Sequence, residues 1–168
     1  MLLLNANRVV TRNAMIDAVW GDEPPTSAVN VVHTYVSRLR QILEPGRGPR
    51  QTSGLLAAEA SGYVLRLSDQ QLDLAEFEIL LDQARASRDT DDLAAAVRAY
   101  AAALALWNGP PLAGIPGPLA ATEQARIEEL HVAAIEDRAE AMLGLGGHRE
   151  LVGELAALAT AHPLRERT

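Results

Sequence analysis

The stretch TSAVNVVHTYVSRLRQIL, residues 26–43, constrains the fold of this 168-residue chain more than any other segment. Wound as an α-helix at about 100° per residue, it gathers its apolar side chains into an arc of about 80°. Those side chains are Val29, Val32, Val36, Leu39 and Leu43. The periodicity predicts an amphipathic helix whose apolar stripe is buried in a core.

The opposite side of this helix lacks the Glu, Lys and Ala that usually fill a solvated face. It carries Asn30, Val31, Thr34, Ser37, Arg38 and Gln41, and the stripe is flanked by His33, Tyr35 and Arg40. Asn can pair with an adenine edge, Arg with guanine or a phosphate, and the methyl groups of Val and Thr with that of thymine. The face therefore suits a DNA major groove. A partner-protein surface, or a merely tolerated polar face, is the alternative that the helix alone leaves open.

The segments around this helix add to the pattern. A shorter helix in TRNAMIDAVW precedes it, with Thr11 as candidate N-cap, and the link GDEPPTS offers Thr26 or Ser27 to cap the longer helix. The loop EPGRGPRQTSG, residues 44–54, ends the helical pattern at Pro45. LLAAEASGYVLRL then predicts two short strands joined by a turn, with Val64 and Leu65 in the second. Helix, tight link, longer helix and strand pair form the order of a winged helix-turn-helix.

From Leu72 onward the sequence predicts only helices. They cover residues 72–86, 91–107, 119–143 and 148–161, with Thr90 as N-cap of the second and breaks at 108–118 and 144–147. Consecutive amphipathic helices with short turns resemble helical-hairpin repeats. The predicted fold class is mainly α: a partial winged helix-turn-helix with a β-hairpin wing, followed by a TPR-like all-helical domain.

The net charge of −7 is divided unevenly along the chain. Up to Arg66 there are seven arginines and five acidic residues, a net charge of +2, and the remainder has a net charge of −9. A mildly basic segment before an acidic one is expected if only the first meets phosphate, although an excess of two charges can also be ordinary fluctuation.

Several classes of protein are disfavoured. No apolar run approaches the roughly 20 residues that span a bilayer, MLLLNANRVV lacks the features of a signal peptide, and there is no cysteine. We therefore expect a cytoplasmic protein, and DNA binding by the first segment would associate it with the nucleoid. His33, His131, His148 and His162 lack metal-ligand spacing, and GLGGH lacks the Lys of a phosphate loop. We expect no enzyme, no cofactor and no metal.

The combined segments resemble a known family. RVVTRNAMIDAVWG, VVHTYVSRLRQILEP and SGYVLRL resemble the later part of an OmpR-type winged helix, and the chain from LDLAEFEILLDQARA through LALWNGPPL to its end resembles the bacterial transcriptional activator domain. That pairing resembles the antibiotic regulatory activator family of actinomycetes, which activates secondary-metabolite gene clusters. It implies residues 1–67 as the DNA-binding domain and 72–168 as the activator domain.

The resemblance implies roles for individual residues. The predicted major-groove contacts are Asn30, Val31, Thr34, Ser37 and Arg38. Predicted contacts to phosphates or through the wing are Arg12, Tyr35, Arg40, Thr52, Ser53, Tyr63 and Arg66. For Tyr63 a packed aromatic ring is the alternative. The link from Trp20 to Pro25 would touch RNA polymerase, with Trp20, Asp22 and Glu23 as candidates, unless Trp20 is a core residue.

The chain also departs from the family pattern. OmpR-type domains begin with a small β-sheet and a full first helix, whereas MLLLNAN matches only the end of that helix, and LRERT stops where activator domains continue. We therefore expect the apolar backs of the two DNA-binding helices, including Val32 and Leu39, to lose cover.

Two functional readings follow. The first is a sequence-specific activator that binds promoter DNA at direct repeats, about one helical turn apart, and recruits RNA polymerase, with pairing of two copies on DNA left open. The second is a fragment that does not bind DNA and acts as a helical-repeat module for protein interaction.

Overall fold

The computed structural model describes residues 1–48, 51–68 and 71–161, except for the side chains of residues 148–150, 154, 157 and 161. Its elements, in chain order, are a 3-10 helix Leu3–Asn5, β1 Val9–Thr11, α1 Arg12–Trp20, α2 Ala28–Leu43, β2 Leu56–Ala58, β3 Gly62–Leu65, α3 Asp73–Asp89, α4 Leu93–Ala105, α5 Pro118–Gly144 and α6 His148–Ala161. The chain divides into one unit of Met1–Leu72 with Ile115–Ala121, and another of Asp73–Gly114 with Thr122–Thr168. His162, the predicted LRERT terminus and the side chain of His148 lie outside the described residues.

The strands of the first unit form an antiparallel sheet in the order β1-β3-β2. Val10 of β1 lies opposite Tyr63 of β3, and Ala57 of β2 lies opposite Val64. The two strands that the sequence predicts are confirmed. The strand β1 is an addition, since its three residues carry no local alternation and become a strand only by pairing with the distant β3.

Asn7 holds the segment before β1 against the end of this sheet. Its backbone N–H donates to the carbonyl of Leu65 at 2.8 Å, and its side-chain amide both donates to and accepts from the backbone of Leu67, at 2.8 and 3.0 Å. The side-chain amide of Asn7 therefore takes the place of one further pair of backbone hydrogen bonds at this end of the sheet. The φ of Asn7 is 63°, a region that Asn tolerates better than most residues.

The core of the first unit joins both of its helices to the sheet. Its buried side chains are Val10, Met15, Val32, Val36, Leu56, Tyr63 and Leu65. Burial of this apolar surface stabilises the unit and holds α2 against α1 and the sheet. Trp20 packs on the edge of the same cluster.

The predicted apolar stripe of α2 is only partly buried. Val32 and Val36 are 4% and 3% exposed, but Val29, Leu39 and Leu43 are 46%, 39% and 43% exposed, so the prediction is wrong for these three. Side chains of α1 and the sheet pack on the middle of the helix and leave its ends open. The expected loss of cover is wrong for Val32, which is buried, whereas Leu39 is exposed.

The structure shows which of the predicted N-cap residues cap their helices. Thr11 caps α1, since its hydroxyl oxygen accepts from the N–H of Ala14 at 3.1 Å. Ser27 occupies the N-cap position of α2 without a side-chain hydrogen bond. The prediction of Thr90 as the cap of α4 is wrong: Asp92 accepts from Ala95 at 2.9 Å. The hydroxyl of Thr90 instead donates to carbonyls of the preceding helix, so it belongs to the end of α3.

The second unit is built from α-helices, with α3 and α4 packed as a hairpin. Its core cluster is Phe77, Leu81, Ala84, Ala96, Tyr100, Ala103, Ala134 and Ala141. The small residues let the helix backbones approach closely around a few large side chains. The mainly α fold class, with a small wing sheet and TPR-like helices, is confirmed.

Candidate nucleic-acid interface

The side of α2 that points away from the core presents the residues that the sequence predicts for the major groove. We call them the outward face: Asn30, Val31, Thr34, Ser37 and Arg38. All are exposed except Val31, which is half-buried. Because the core fixes the back of this helix, the structure brings these five side chains together on one surface.

Two residues of the outward face show what that surface can offer a ligand. The Thr34 hydroxyl donates to the carbonyl oxygen of Asn30 at 2.9 Å, which leaves an oxygen acceptor and a methyl group for contact. Arg38 makes no hydrogen bond or ion pair with any residue in the part of the chain that the structure describes. Its guanidinium is therefore available to a guanine edge or a phosphate.

The predicted phosphate contacts Arg40 and Tyr35 lie on opposite edges of α2. Arg40 donates from Nε to the carbonyl oxygen of Leu56 at 2.9 Å, and its guanidinium carbon lies 5.7 Å from the centre of the Tyr63 ring. This side chain therefore ties α2 to the wing, the hairpin of β2 and β3. Tyr35 is half-exposed and lines an apolar groove together with Leu39.

Ser53 and Tyr63, two of the predicted wing contacts, have buried side chains in this structure. Ser53 is buried, its hydroxyl donates to the carboxylate of Glu44, and its oxygen accepts from the N–H of Leu56 at 2.9 Å. Tyr63 is only 4% exposed, and its hydroxyl lies 2.7 Å from Nδ1 of His33. The Tyr63 ring is therefore packed in the core, which is the alternative that the sequence left open.

Glu44, at the end of α2, organises the loop that leads into the wing. Its carboxylate accepts from the Ser53 hydroxyl and from the backbone N–H groups of Gly54 and Leu55, at 2.8 and 3.2 Å. The Ser53 hydrogen bond is the largest cause of a lowered pKa of Glu44, which the two backbone donors and Arg47 also lower and burial opposes. The charged form of Glu44 therefore holds this loop to the helix.

The other predicted wing contacts are exposed or partly occupied. Arg66 forms an exposed ion pair with Glu59 at 3.1 Å, and Thr52 is exposed. Arg12 donates from its guanidinium to the carbonyl oxygen of Ala60 at 3.0 Å, in the turn of the wing. Exposed pairs of this kind are weak, so Arg66 can exchange Glu59 for a phosphate at little cost.

The link between α1 and α2 separates its three predicted contact residues. Asp22 and Glu23 are exposed, whereas Trp20 is half-buried against the core cluster of the first unit. Trp20 therefore packs largely as a core residue, which is the alternative that the sequence left open. The two acidic side chains, like the neighbouring Pro24 and Pro25, are accessible to a partner.

Two residues matter here that the sequence did not assign to a site. Glu44 supports the loop before the wing, and His33 contacts the buried Tyr63. The placement of Glu44 before a Pro-Gly loop is a local signal of a helix end but does not show its partners. His33 flanks the stripe as predicted, but its contact with Tyr63 depends on the tertiary fold.

The described residues, 1–48, 51–68 and 71–161, contain no cluster of three His or acidic side chains arranged to hold a metal ion. Within the same ranges, every helix is too short or too polar to cross a membrane.

Two family models match the chain in sequence. Residues 1–65 match the model described as "Transcriptional regulatory protein, C terminal", and residues 72–168 match "Bacterial transcriptional activator domain". The first match contains the outward face and the wing. The second covers more than half of the chain.

Curated relatives and a solved structure agree with these matches. Regulatory protein AfsR of Streptomyces coelicolor is 44% identical over 99% of this chain, which spans 16% of that protein. Regulatory protein DnrI of Streptomyces peucetius is 32% identical over 99% of the chain, which spans 62% of that protein. A structure of Mycobacterium tuberculosis EmbR in complex with a low-affinity phosphopeptide superposes with a TM-score of 0.89 at 34% identity, covering 98% of this chain and 43% of that one.

The chain thus spans less than two thirds of each of these relatives, and all three are named as regulators rather than enzymes. Both domain types, their order and the fold agree between the sequence, the structure and the relatives. The chain belongs to the antibiotic regulatory activator family of actinomycetes, in which an OmpR-type winged helix-turn-helix is joined to a bacterial transcriptional activator domain.

Proposed function

We propose that this chain binds promoter DNA in a sequence-specific manner, in the cytoplasm and at the nucleoid, and activates transcription of a secondary-metabolite gene cluster. The single observation that carries the proposal is the outward face of α2. It combines an amide, hydroxyls, a methyl-bearing side chain and a guanidinium on one exposed helix side. These groups match the donors, acceptors and methyl groups that base pairs present in the major groove.

The surroundings of α2 support this use of its outward face. Val32 and Val36 anchor the back of the helix in the core, and Arg40 and Glu44 tie it to the wing and the loop before the wing. A recognition helix held from behind and along one edge enters the groove with little loss of conformational entropy. Phosphate contacts from Arg12, Arg40 and Arg66 would then set the register without reading sequence.

The proposed binding mode is head-to-tail on direct repeats, about one helical turn apart, with two copies meeting on the DNA. The exposed Asp22 and Glu23, with the edge of Trp20, form the surface offered to RNA polymerase. The acidic segment after Arg66, with its net charge of −9, would be repelled from the phosphates and left to partner proteins.

A selection experiment tests sequence-specific binding. The chain is incubated with a pool of random DNA duplexes, and bound duplexes are amplified over several rounds. We expect enrichment of a direct repeat, and the enriched site should bind about a thousandfold more tightly than a shuffled duplex of the same composition. Selection that enriches no site, while the chain remains folded by circular dichroism, would contradict the proposal.

A second candidate function is favoured by one observation. The groove beside Tyr35 is apolar, has a volume of about 400 Å³, and is lined by Leu2, Val19, Leu39 and Leu43 among others. Exposed apolar surface of this kind marks protein interaction sites in many proteins. If the chain binds DNA without sequence preference, or does not bind DNA, the proposed function becomes that of a protein-interaction module instead of a sequence-specific activator.

A further inference from the structure

We propose that His33 donates a hydrogen bond from Nε2 to a DNA backbone phosphate, and that the buried Tyr63 fixes the imidazole in the tautomer that makes this possible. The inference rests on the proposed DNA-binding function and adds to it a contact residue and a positioning residue. It assigns Tyr63 a role from inside the core, in place of the surface contact that its sequence position suggests.

His33 and Tyr63 lie within hydrogen-bond distance of each other. The Tyr63 hydroxyl oxygen lies 2.7 Å from Nδ1 of His33, and the two rings meet edge to face at 82° with their centres 6.2 Å apart. Tyr63 is held by the core on β3, and His33 stands on α2. The imidazole is therefore oriented by a hydrogen bond to a side chain that cannot easily move.

The hydrogen bond between the Tyr63 phenol and the His33 imidazole determines which imidazole nitrogen carries the proton. A buried phenol needs an acceptor for its proton, and Nδ1 of a neutral imidazole is an acceptor. When Nδ1 accepts, the imidazole proton resides on Nε2, which becomes a donor. His33 is exposed, and Nε2 has no hydrogen-bond partner within the described residues. The imidazole thus presents a fixed N–H group to the outside.

His33 lies on α2 between the outward face and the wing. On the surface of α2 it neighbours Asn30, three residues before, and Ser37, four residues after, and both belong to the outward face. On its other side lie Tyr63 and the wing. His33 therefore borders the surface proposed to face the bases, on the edge nearest the wing. When a helix enters the major groove, the side chains along such an edge meet the sugar-phosphate backbone.

A pair of substitutions separates this role from a structural one. Gln places its amide nitrogen at the same bond distance from the main chain as Nε2 of His, whereas Asn places its amide group at the distance of Nδ1. His33→Gln keeps the outward donor, and His33→Asn keeps only the group that faces Tyr63. We expect His33→Gln to bind the selected duplex within about twofold of the parent chain, and His33→Asn to bind about tenfold more weakly.

The loss in His33→Asn should be the same on the selected and the shuffled duplex, because a phosphate contact carries no sequence information. Thermal unfolding of both variants shows whether either has lost its fold. The reverse order of affinities, with His33→Asn retaining binding and His33→Gln losing it, would overturn the proposal, because it would assign His33 only the contact with Tyr63. Equal binding by all three chains would also overturn it.

Tyr63→Phe tests the positioning role with a spectroscopic readout. Long-range ¹H–¹⁵N correlation spectra of the imidazole distinguish the two neutral tautomers and should show Nε2–H for His33 in the full parent chain. Phe keeps the packed ring but removes the hydroxyl, so both tautomers should be populated and DNA affinity should fall by less than in His33→Asn. A parent chain in which His33 carries its proton on Nδ1 would overturn the assignment.

The same titrations separate failure of this inference from failure of the proposed function. If the parent chain does not prefer the selected duplex to the shuffled one, sequence-specific binding itself is refuted. If the parent chain prefers it and the His33 variants match the parent, only the role of His33 is refuted.

Discussion

At the scale of single residues, Glu44 provides a pH-dependent test of how α2 is tied to the loop before the wing. Its pKa lies below the ordinary value of 4.5, with the Ser53 hydrogen bond as the largest cause. A lowered pKa means that the folded chain favours the carboxylate, so this stabilisation is complete above the ordinary value and disappears as pH falls through the lowered pKa.

We predict that Glu44→Gln unfolds at a lower temperature than the parent chain near pH 7, because Gln keeps the shape of the side chain but not its charge. The difference in unfolding temperature should shrink as pH is lowered below the ordinary pKa of Glu44, where the parent chain loses the same charge. Glu23→Gln, at an exposed position of the link between α1 and α2, is the matched control and should change the unfolding temperature much less. A gap for Glu44→Gln that is constant over the whole pH range would refute this account.

The exposure of single side chains could be predicted only where it depends on helix periodicity. Thr34, Ser37 and Arg38 are exposed as their angles on the helix predict. The burial of Ser53 depends on Glu44, and that of Tyr63 on contacts with α2 and β1. Glu44 lies nine residues from Ser53, and the partners of Tyr63 lie further away, so no local pattern could distinguish a buried wing residue from a contact residue.

At the scale of elements, the close approach of β1 and β3 depends on Gly62. A Cβ atom added at this residue would lie 1.9 Å from the carbonyl oxygen of Val10 and 2.7 Å from the Cα of Thr11. Both are backbone atoms, which cannot rotate away, so the strands would have to separate.

We predict that Gly62→Ala lowers the free energy of unfolding by about 1–3 kcal/mol, the range for forced overpacking. Gly46→Ala is the control, because a Cβ there meets nothing within 4 Å. Urea unfolding of the two variants and the parent chain measures the effect. Equal stability of the two variants would show that β1 does not pair with β3 as described.

Element boundaries followed the sequence where a local signal exists. Pro45 marks the end of α2, and the turn before Gly62 marks the hairpin of the wing. The strand β1 and the cap of α4 were not predicted correctly. The first exists only through a distant partner, and the second required a choice between neighbouring polar residues, Thr90 and Asp92, that are both good caps.

At the scale of the whole molecule, each unit has its own core, and that of the helical unit contains a buried polar group. Asp137 is 7% exposed, accepts from the fully buried Tyr100 hydroxyl at 3.3 Å and lies 3.2 Å from the guanidinium of Arg88. Burial is the main cause of a raised pKa of Tyr100, to which Asp137 adds, so the hydroxyl stays protonated and able to donate.

We predict that Asp137→Ala lowers the free energy of unfolding by about 2–4 kcal/mol, because Tyr100 and Arg88 lose a buried partner. Asp82→Ala is the control: it removes the same charge from an exposed pair with Arg85, and we expect a change below about 0.5 kcal/mol. Calorimetry of both variants measures the difference. Similar unfolding temperatures for the two would contradict a stabilising role for the buried carboxylate.

The uneven charge of the molecule makes a charge-matched comparison necessary in any DNA measurement. Arg38→Ala and Arg98→Ala each remove one positive charge from a chain whose net charge is −7. Both side chains are exposed, but Arg38 lies on the outward face of α2 and Arg98 on α4 of the helical unit. Any difference between the two variants therefore reports position, not net charge.

Fluorescence anisotropy titrations of the selected duplex at several salt concentrations, with the parent chain and these two variants, test the central claim most directly. We predict that Arg38→Ala weakens binding by about tenfold or more, while Arg98→Ala stays within about twofold of the parent. For the parent chain, affinity should fall steeply with salt, and a phosphate contact by Arg38 would add about 0.9 to that slope. Equal affinities of the two variants on the selected duplex would contradict the claim that the outward face of α2 reads DNA.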